Sequence, residues 1–312
     1  MSFRKNRGYL MKKKVIKILV SILLVLSMIS CKSVNSNIEF QNYAENEIPF
    51  SYGFNGYMPL FTFYAKTPDD EIVKLQLEFD SGLDVNMFSK RAIKKLFPKY
   101  RFSEPGTYTI KQIVLETENK FKISDIQFKY RKDQFKTSYA ALYYDGAIGL
   151  SFFKNLGKVT YDMPNQKVIV GDYEMDSNPI QMREINILDN IFYEIPVLIN
   201  GKEDTAIIDF GTKSFGVIRD NFGEPKIVLS DEDYLKPFDK SLLEWNSYIK
   251  IDSLQVGEVV VENVKCYNGK ARFINLPDIV KNLTFYHNTV GMKFFEDKVV
   301  QFDFENMLFY VK

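Results

Sequence analysis

Past residue 47 the chain alternates apolar and polar positions in short runs, the period of half-buried strands rather than of helices. Met58–Ala65 and Ile72–Phe79 are two such runs, joined by the turn-forming Thr67-Pro68-Asp69-Asp70. Tyr193–Ile199 and Thr205–Ile208 repeat the arrangement around Asn200-Gly201, residues that tolerate the positive φ of a two-residue hairpin turn. Phe121–Tyr130, Ile249–Val256 and Val259–Tyr267 continue the series. Helical signals are sparse: Ser89–Leu96, with Ser89 as its cap, and Asp231–Leu243. Residues 171–190, with Pro179, read as a connection. The 27 Phe and 19 Tyr add to the strand signal, because aromatic rings pack well on a pleated surface. The pattern predicts an all-β fold with few short helices.

The pattern also repeats. Phe79-Asp80-Ser81-Gly82 returns, altered, as Ile208-Asp209-Phe210-Gly211. Ala147-Ile148-Gly149-Leu150-Ser151-Phe152-Phe153 returns as Thr289-Val290-Gly291-Met292-Lys293-Phe294-Phe295. The tails match too: Val159-Thr160-Tyr161-Asp162 with Asn165, and Val300-Gln301-Phe302-Asp303 with Asn306. Three landmarks in one order, twice, predict a duplicated lobe. Each copy places one Asp at the end of the second strand of a hairpin, and two such lobes could bring two carboxylates together.

The amino terminus has a different character. Lys12, Lys13, Lys14 and Lys17 precede the apolar stretch Ile18–Met28, which predicts a signal peptide over residues 1–30, with Met1 or Met11 as its start. It ends at Met28-Ile29-Ser30-Cys31, and a small residue before Cys resembles the lipobox of bacterial lipoproteins. That resemblance implies lipidation of Cys31 and a tether over residues 31–47. It also implies a location in the cell envelope outside the cytoplasm, held to a membrane without spanning it. An uncleaved membrane anchor and an ordinary signal remain the alternatives. Removing this segment changes the charge balance: residues 1–30 hold seven Lys/Arg and no acid, which leaves 34 basic against 40 acidic residues. A mildly acidic body argues against nucleic acid as a partner. Cys266 is then the one remaining cysteine and His287 the one histidine, which excludes an internal disulfide and disfavours a zinc cluster. A Ser-His-Asp triad would have to use His287, which reads better as a polar loop residue. No metal or cofactor is expected.

The duplicated parts, in this order, resemble the retropepsin and pepsin-like aspartic proteases over residues 48–312. The resemblance implies a bilobal fold of two β-barrel-like lobes, 48–175 and 191–312, joined by a linker at 176–190 and monomeric because both lobes lie in one chain. It implies a catalytic dyad of Asp80 and Asp209 that shares one proton, since adjacent like charges cannot both ionise cheaply. Gly82 and Gly211 match the family's turn glycines, Ser81 the hydroxyl that bonds across to the other lobe, and Thr212 a hydroxyl common in second lobes. Asp84 matches an acid found after the retropepsin motif, preceded here by Leu83 instead of a small residue. Thr107–Glu118, with Tyr108 and Ile110, is the candidate hairpin to cover the substrate. Phe210 departs from the pattern, because the family has Thr or Ser there. The implied function is hydrolysis of peptide bonds in a polypeptide substrate. The alternative is a non-catalytic relative that binds peptides or envelope components between the lobes. Asp209-Phe210-Gly211 also spells the magnesium motif of protein kinases, but the other kinase motifs are missing.

Overall fold

The structure is a computed structural model that describes residues 46–53, 58–99, 107–118, 120–131, 144–187, 190–212, 214–219, 222, 225–226, 248–268 and 287–312. The signal peptide, Cys31, nearly all of the tether and the expected helix Asp231–Leu243 lie outside these residues. The fold is all-β. After β1 (Glu47–Tyr52) come β2 (Pro59–Lys66), β3 (Ile72–Phe79), β4 (Met87–Phe88), helix α1 (Lys90–Leu96), β5 (Thr107–Glu116), β6 (Lys122–Arg131) and β7 (Gly146–Ile148). Six of these strands form a closed ring in the order β2-β3-β7-β4-β6-β5, shut by Tyr64 opposite Glu116 and Ala65 opposite Leu115.

Helix α2 (Leu150–Lys154) leads into β8 (Lys158–Asp162), β9 (Lys167–Val170), β10 (Ile180–Gln181) and β11 (Arg183–Ile187). Then β12 (Asn190–Ile199), β13 (Lys202–Asp209), β14 (Gly216–Ile218), β16 (Tyr248–Val256), β17 (Val259–Asn268) and β18 (Asn288–Gly291) supply a second ring, with β15 (Pro225–Lys226) paired outside it on β16. Its order, β12-β13-β18-β14-β17-β16, is that of the first, and it shuts where Leu198 and Ile199 face Gln255 and Leu254. Helix α3 (Met292–Phe295), β19 (Val299–Asp303) and β20 (Leu308–Val311) complete the described chain.

A sheet of order β10-β20-β19-β8-β9-β1 joins the rings. At its centre β8 and β19, the two copies of the repeated tail, run antiparallel with Thr160 opposite Gln301. Each is closed by the same turn: Asn165 donates its side-chain N–H to Asp162 at 2.8 Å, and Asn306 to Asp303 at 2.9 Å. The stretch expected as a connection carries β10 and β11. Together they do what β1 does alone, pairing with the central sheet at one end and with a ring at the other.

Local chemistry explains the elements. Asn200 and Gly201 take φ of 53° and 72°, as the hairpin joining β12 and β13 requires. Ser89 caps α1 by accepting from Ala92 N. The Phe-Phe pairs that end each repeated phrase, Phe152-Phe153 and Phe294-Phe295, are buried. None of the described helices is long and apolar enough to cross a membrane.

Candidate functional site

Asp80 follows β3 directly, and Asp209 ends β13. In each ring that strand lies parallel to the apolar-glycine strand, Phe79 opposite Ile148 and Asp209 opposite Gly291. Each Asp loop then turns back on itself: Leu83 N donates to Asp80 O, and Thr212 N to Asp209 O, both at 3.1 Å. The segment after each apolar-glycine phrase crosses behind the loop, with Leu150 N on Leu83 O and Met292 N on Thr212 O, both at 2.8 Å. Two copies of one backbone framework therefore hold the two acids.

The framework brings the carboxylates together. A β-carbon built on Gly82 would stand 2.7 Å from Asp209 Oδ1 and 3.0 Å from Asp80 Oδ1, so these oxygens are no farther apart than the sum of the two distances. A β-carbon on Gly211 would overlap the Asp80 carboxyl group. Each glycine thus leaves room for the opposite acid, a close approach that any side chain would block. Gly82 N donates to Asp80 Oδ1 at 2.8 Å, and the Thr212 hydroxyl to Asp209 Oδ2 at 2.6 Å. The position equivalent to Thr212 in the first loop is Leu83, which offers no hydroxyl. Both acids are half-buried and so stay open to a reactant.

Ser81 ties the loops. Its hydroxyl donates to Ile208 O and accepts from Phe210 N, both at 2.8 Å, and so brackets Asp209 along the opposite chain. The reciprocal side-chain bond is missing, because Phe210 has no hydroxyl. Its ring is fully buried, with Phe79, Tyr161 and Phe295 each 5.4 Å away between centroids and Phe302 at 5.9 Å.

Asp84, at the end of the first loop, is buried, and one of its carboxylate oxygens has no hydrogen-bond partner among the described residues. Burial pushes its pKa up, opposed by a hydrogen bond from the Ile191 backbone in β12 and by Lys154 and Lys129. The sequence marks Asp84 as present but not as reaching the second half of the chain.

Other predicted positions fall away from the dyad. His287 places Nδ1 2.9 Å from the buried carboxylate of Glu194, which also receives Arg183 and the Thr205 hydroxyl. Burial alone would raise the Glu194 pKa, but the hydrogen bonds from Thr205, Arg183 and His287 outweigh it and hold the carboxyl below its ordinary range. Nothing in the spacing of these four residues announces the cluster. Cys266 is buried in β17, and burial raises its thiol to about 12, which keeps it protonated and unreactive. The expected cover hairpin is built by β5 and β6, from Thr107 opposite Arg131 to Glu116 opposite Lys122, and β6 runs beside β4, where the Asn86 side chain donates to Gln127 O at 3.1 Å. No cluster of metal-ligating side chains occurs among the described residues.

No protein-family model and no curated protein matches the chain. Among solved structures it is similar to edgp, at 10% identity over 87% of this chain and 95% of that one, with a TM-score of 0.49. At that level the reading of this chain rests on its own residues.

Proposed function

We propose that the chain is an aspartic peptidase with a pepsin-like bilobal fold, in which Asp80 and Asp209 activate a water against a peptide bond. The observation that carries this reading is the convergence of their oxygens beside Gly82. In this mechanism one carboxyl is protonated and the other ionised. The ionised carboxylate takes a proton from the water, whose oxygen attacks the peptide carbonyl while the protonated carboxyl donates to the carbonyl oxygen. Return of a proton to the amide nitrogen then lets the C–N bond break, with both carboxyls restored. No cofactor is required. The substrate is a polypeptide that reaches the half-buried acids in an extended form. Lipidation at Cys31 would hold the enzyme in the cell envelope, as a monomer with both acids in one chain.

Phe210 favours a second reading, a peptide-binding relative without turnover, since the second loop lacks the hydroxyl that completes the clasp. Cleavage of fluorescently labelled denatured casein by the full chain in detergent separates the two. Activity in acidic buffer, lost to background in Asp80→Asn and in Asp209→Asn, is the expected outcome. Retention of peptides without cleavage, undiminished in both variants, would establish the binding protein instead.

A further inference from the structure

We infer that Phe210 is a positioning residue: its ring replaces the missing hydroxyl as the second clasp between the two Asp loops. The inference deepens the proposed peptidase reading and rests on it for its consequence in turnover. Among the described residues, two of the four rings around Phe210 belong to the first copy of the repeat. Phe79 immediately precedes Asp80, and its ring meets Phe210 edge to face, at 5.4 Å and 84°. Tyr161 meets it at the same distance and angle. Phe295 of α3 and Phe302 of β19 hold the other side of the ring. Phe79 is itself pinned, stacked on Tyr161 at 5.0 Å and set edge-on to Phe153 at 4.6 Å.

The residue before one acid is therefore packed against the residue after the other. The link parallels the one Ser81 makes through its hydroxyl, which reaches the backbone on both sides of Asp209. A hydroxyl fixes such a contact by direction. A large ring in a full aromatic pocket fixes it by shape, because close-packed interiors give little without a cost in contacts. Either device sets how far apart Asp80 and Asp209 stand. That separation governs the coupling of their titrations and the fit of a reacting carbonyl between them.

The test compares Phe210→Leu, which keeps apolar volume but loses the flat ring, with Phe128→Leu. Phe128 is another fully buried ring, stacked on Phe88 within the first ring of strands. Both variants of the full chain, in detergent, are labelled with carboxyl-13C aspartate and titrated by NMR, and casein cleavage is followed in parallel. Phe210→Leu is expected to narrow the gap between the two apparent pKa values of the dyad by about one unit and to lower kcat roughly tenfold with KM held, as a loosened dyad demands. Phe128→Leu is expected to lower the melting temperature while leaving the titration and kcat in place. An unchanged gap in Phe210→Leu, with only a lower melting temperature, would overturn the inference and make the ring simple filling. The titration needs no turnover. If the parent chain cleaves nothing, the peptidase reading fails, while the shift in the dyad still decides the role of Phe210.

Discussion

At the scale of single residues, the aromatic pocket that receives Phe210 contains one misfit. The Tyr161 hydroxyl is fully buried and has no hydrogen-bond partner among the described residues, and its position in the repeat is held by Phe302 in the other copy. Desolvation pushes its pKa well up, so it stays a neutral group in an apolar setting. Leaving a buried hydroxyl unsatisfied costs about 1–3 kcal/mol. Tyr161→Phe removes that cost without opening a cavity, so we predict a higher melting temperature and unchanged cleavage; a fall in melting temperature would mean that the hydroxyl has a partner. The sequence makes both acids and the odd Phe210 visible, because the repeat aligns them residue by residue. It does not show the pocket. Phe79, Tyr161, Phe295 and Phe302 are scattered along the chain, and no local pattern tells that they meet.

Between elements, what was legible follows the range of the interaction that decides it. Asn200-Gly201 and the Ser89 cap act within a few residues, so the hairpin and α1 stand where the pattern put them. The closures of the two rings and the strands β10 and β11 in the supposed connection depend on pairings far apart in sequence. The join between the first Asp loop and β12 is of this second kind. Asp84 receives the Ile191 backbone there, and burial raises its folded pKa above its ordinary value of 3.8. A carboxyl with a raised folded pKa binds its proton more tightly in the native state. Its charge therefore costs stability above the raised value, and the cost disappears as pH falls through that value towards 3.8. Glu194 has the opposite sign, since its depressed pKa contributes stability that is lost as pH falls through its folded value. Asp84→Asn keeps an acceptor for Ile191 and removes the charge. We predict that it melts higher than the parent near neutral pH, with the difference closing in acid. A variant that melts lower than the parent at neutral pH would show that the charge is paired rather than stranded. In the acidic buffer proposed for catalysis, the loop that carries Asp80 would then be relieved of this cost.

Across the whole molecule, the duplication places two like loops face to face and spends the central sheet on joining them. β8 and β19 pair antiparallel at the middle of that sheet, with Thr160 opposite its counterpart in the repeat, Gln301. The chain enters this body at the same sheet: Glu47 pairs with Ile169, and the Asn46 side chain donates to Val170 O at 2.6 Å. Under the proposed lipid anchor, the residues from Cys31 to Asn46 could reach at most roughly 50 Å, at about 3.4 Å per residue. A leash of that reach would let the half-buried acids meet extended polypeptides near a membrane without the body touching it. A body with more acids than bases has no general attraction to an anionic lipid surface, so residence there would depend on the lipid. Intact-mass measurement on the membrane-held protein is therefore expected to find a chain beginning at Cys31 with added acyl mass, and no acyl mass in Cys31→Ser. A membrane-held chain that begins upstream of Cys31 and carries no added mass would overturn the lipid anchor. It would leave the apolar stretch Ile18–Met28, uncleaved, as what holds the protein in place.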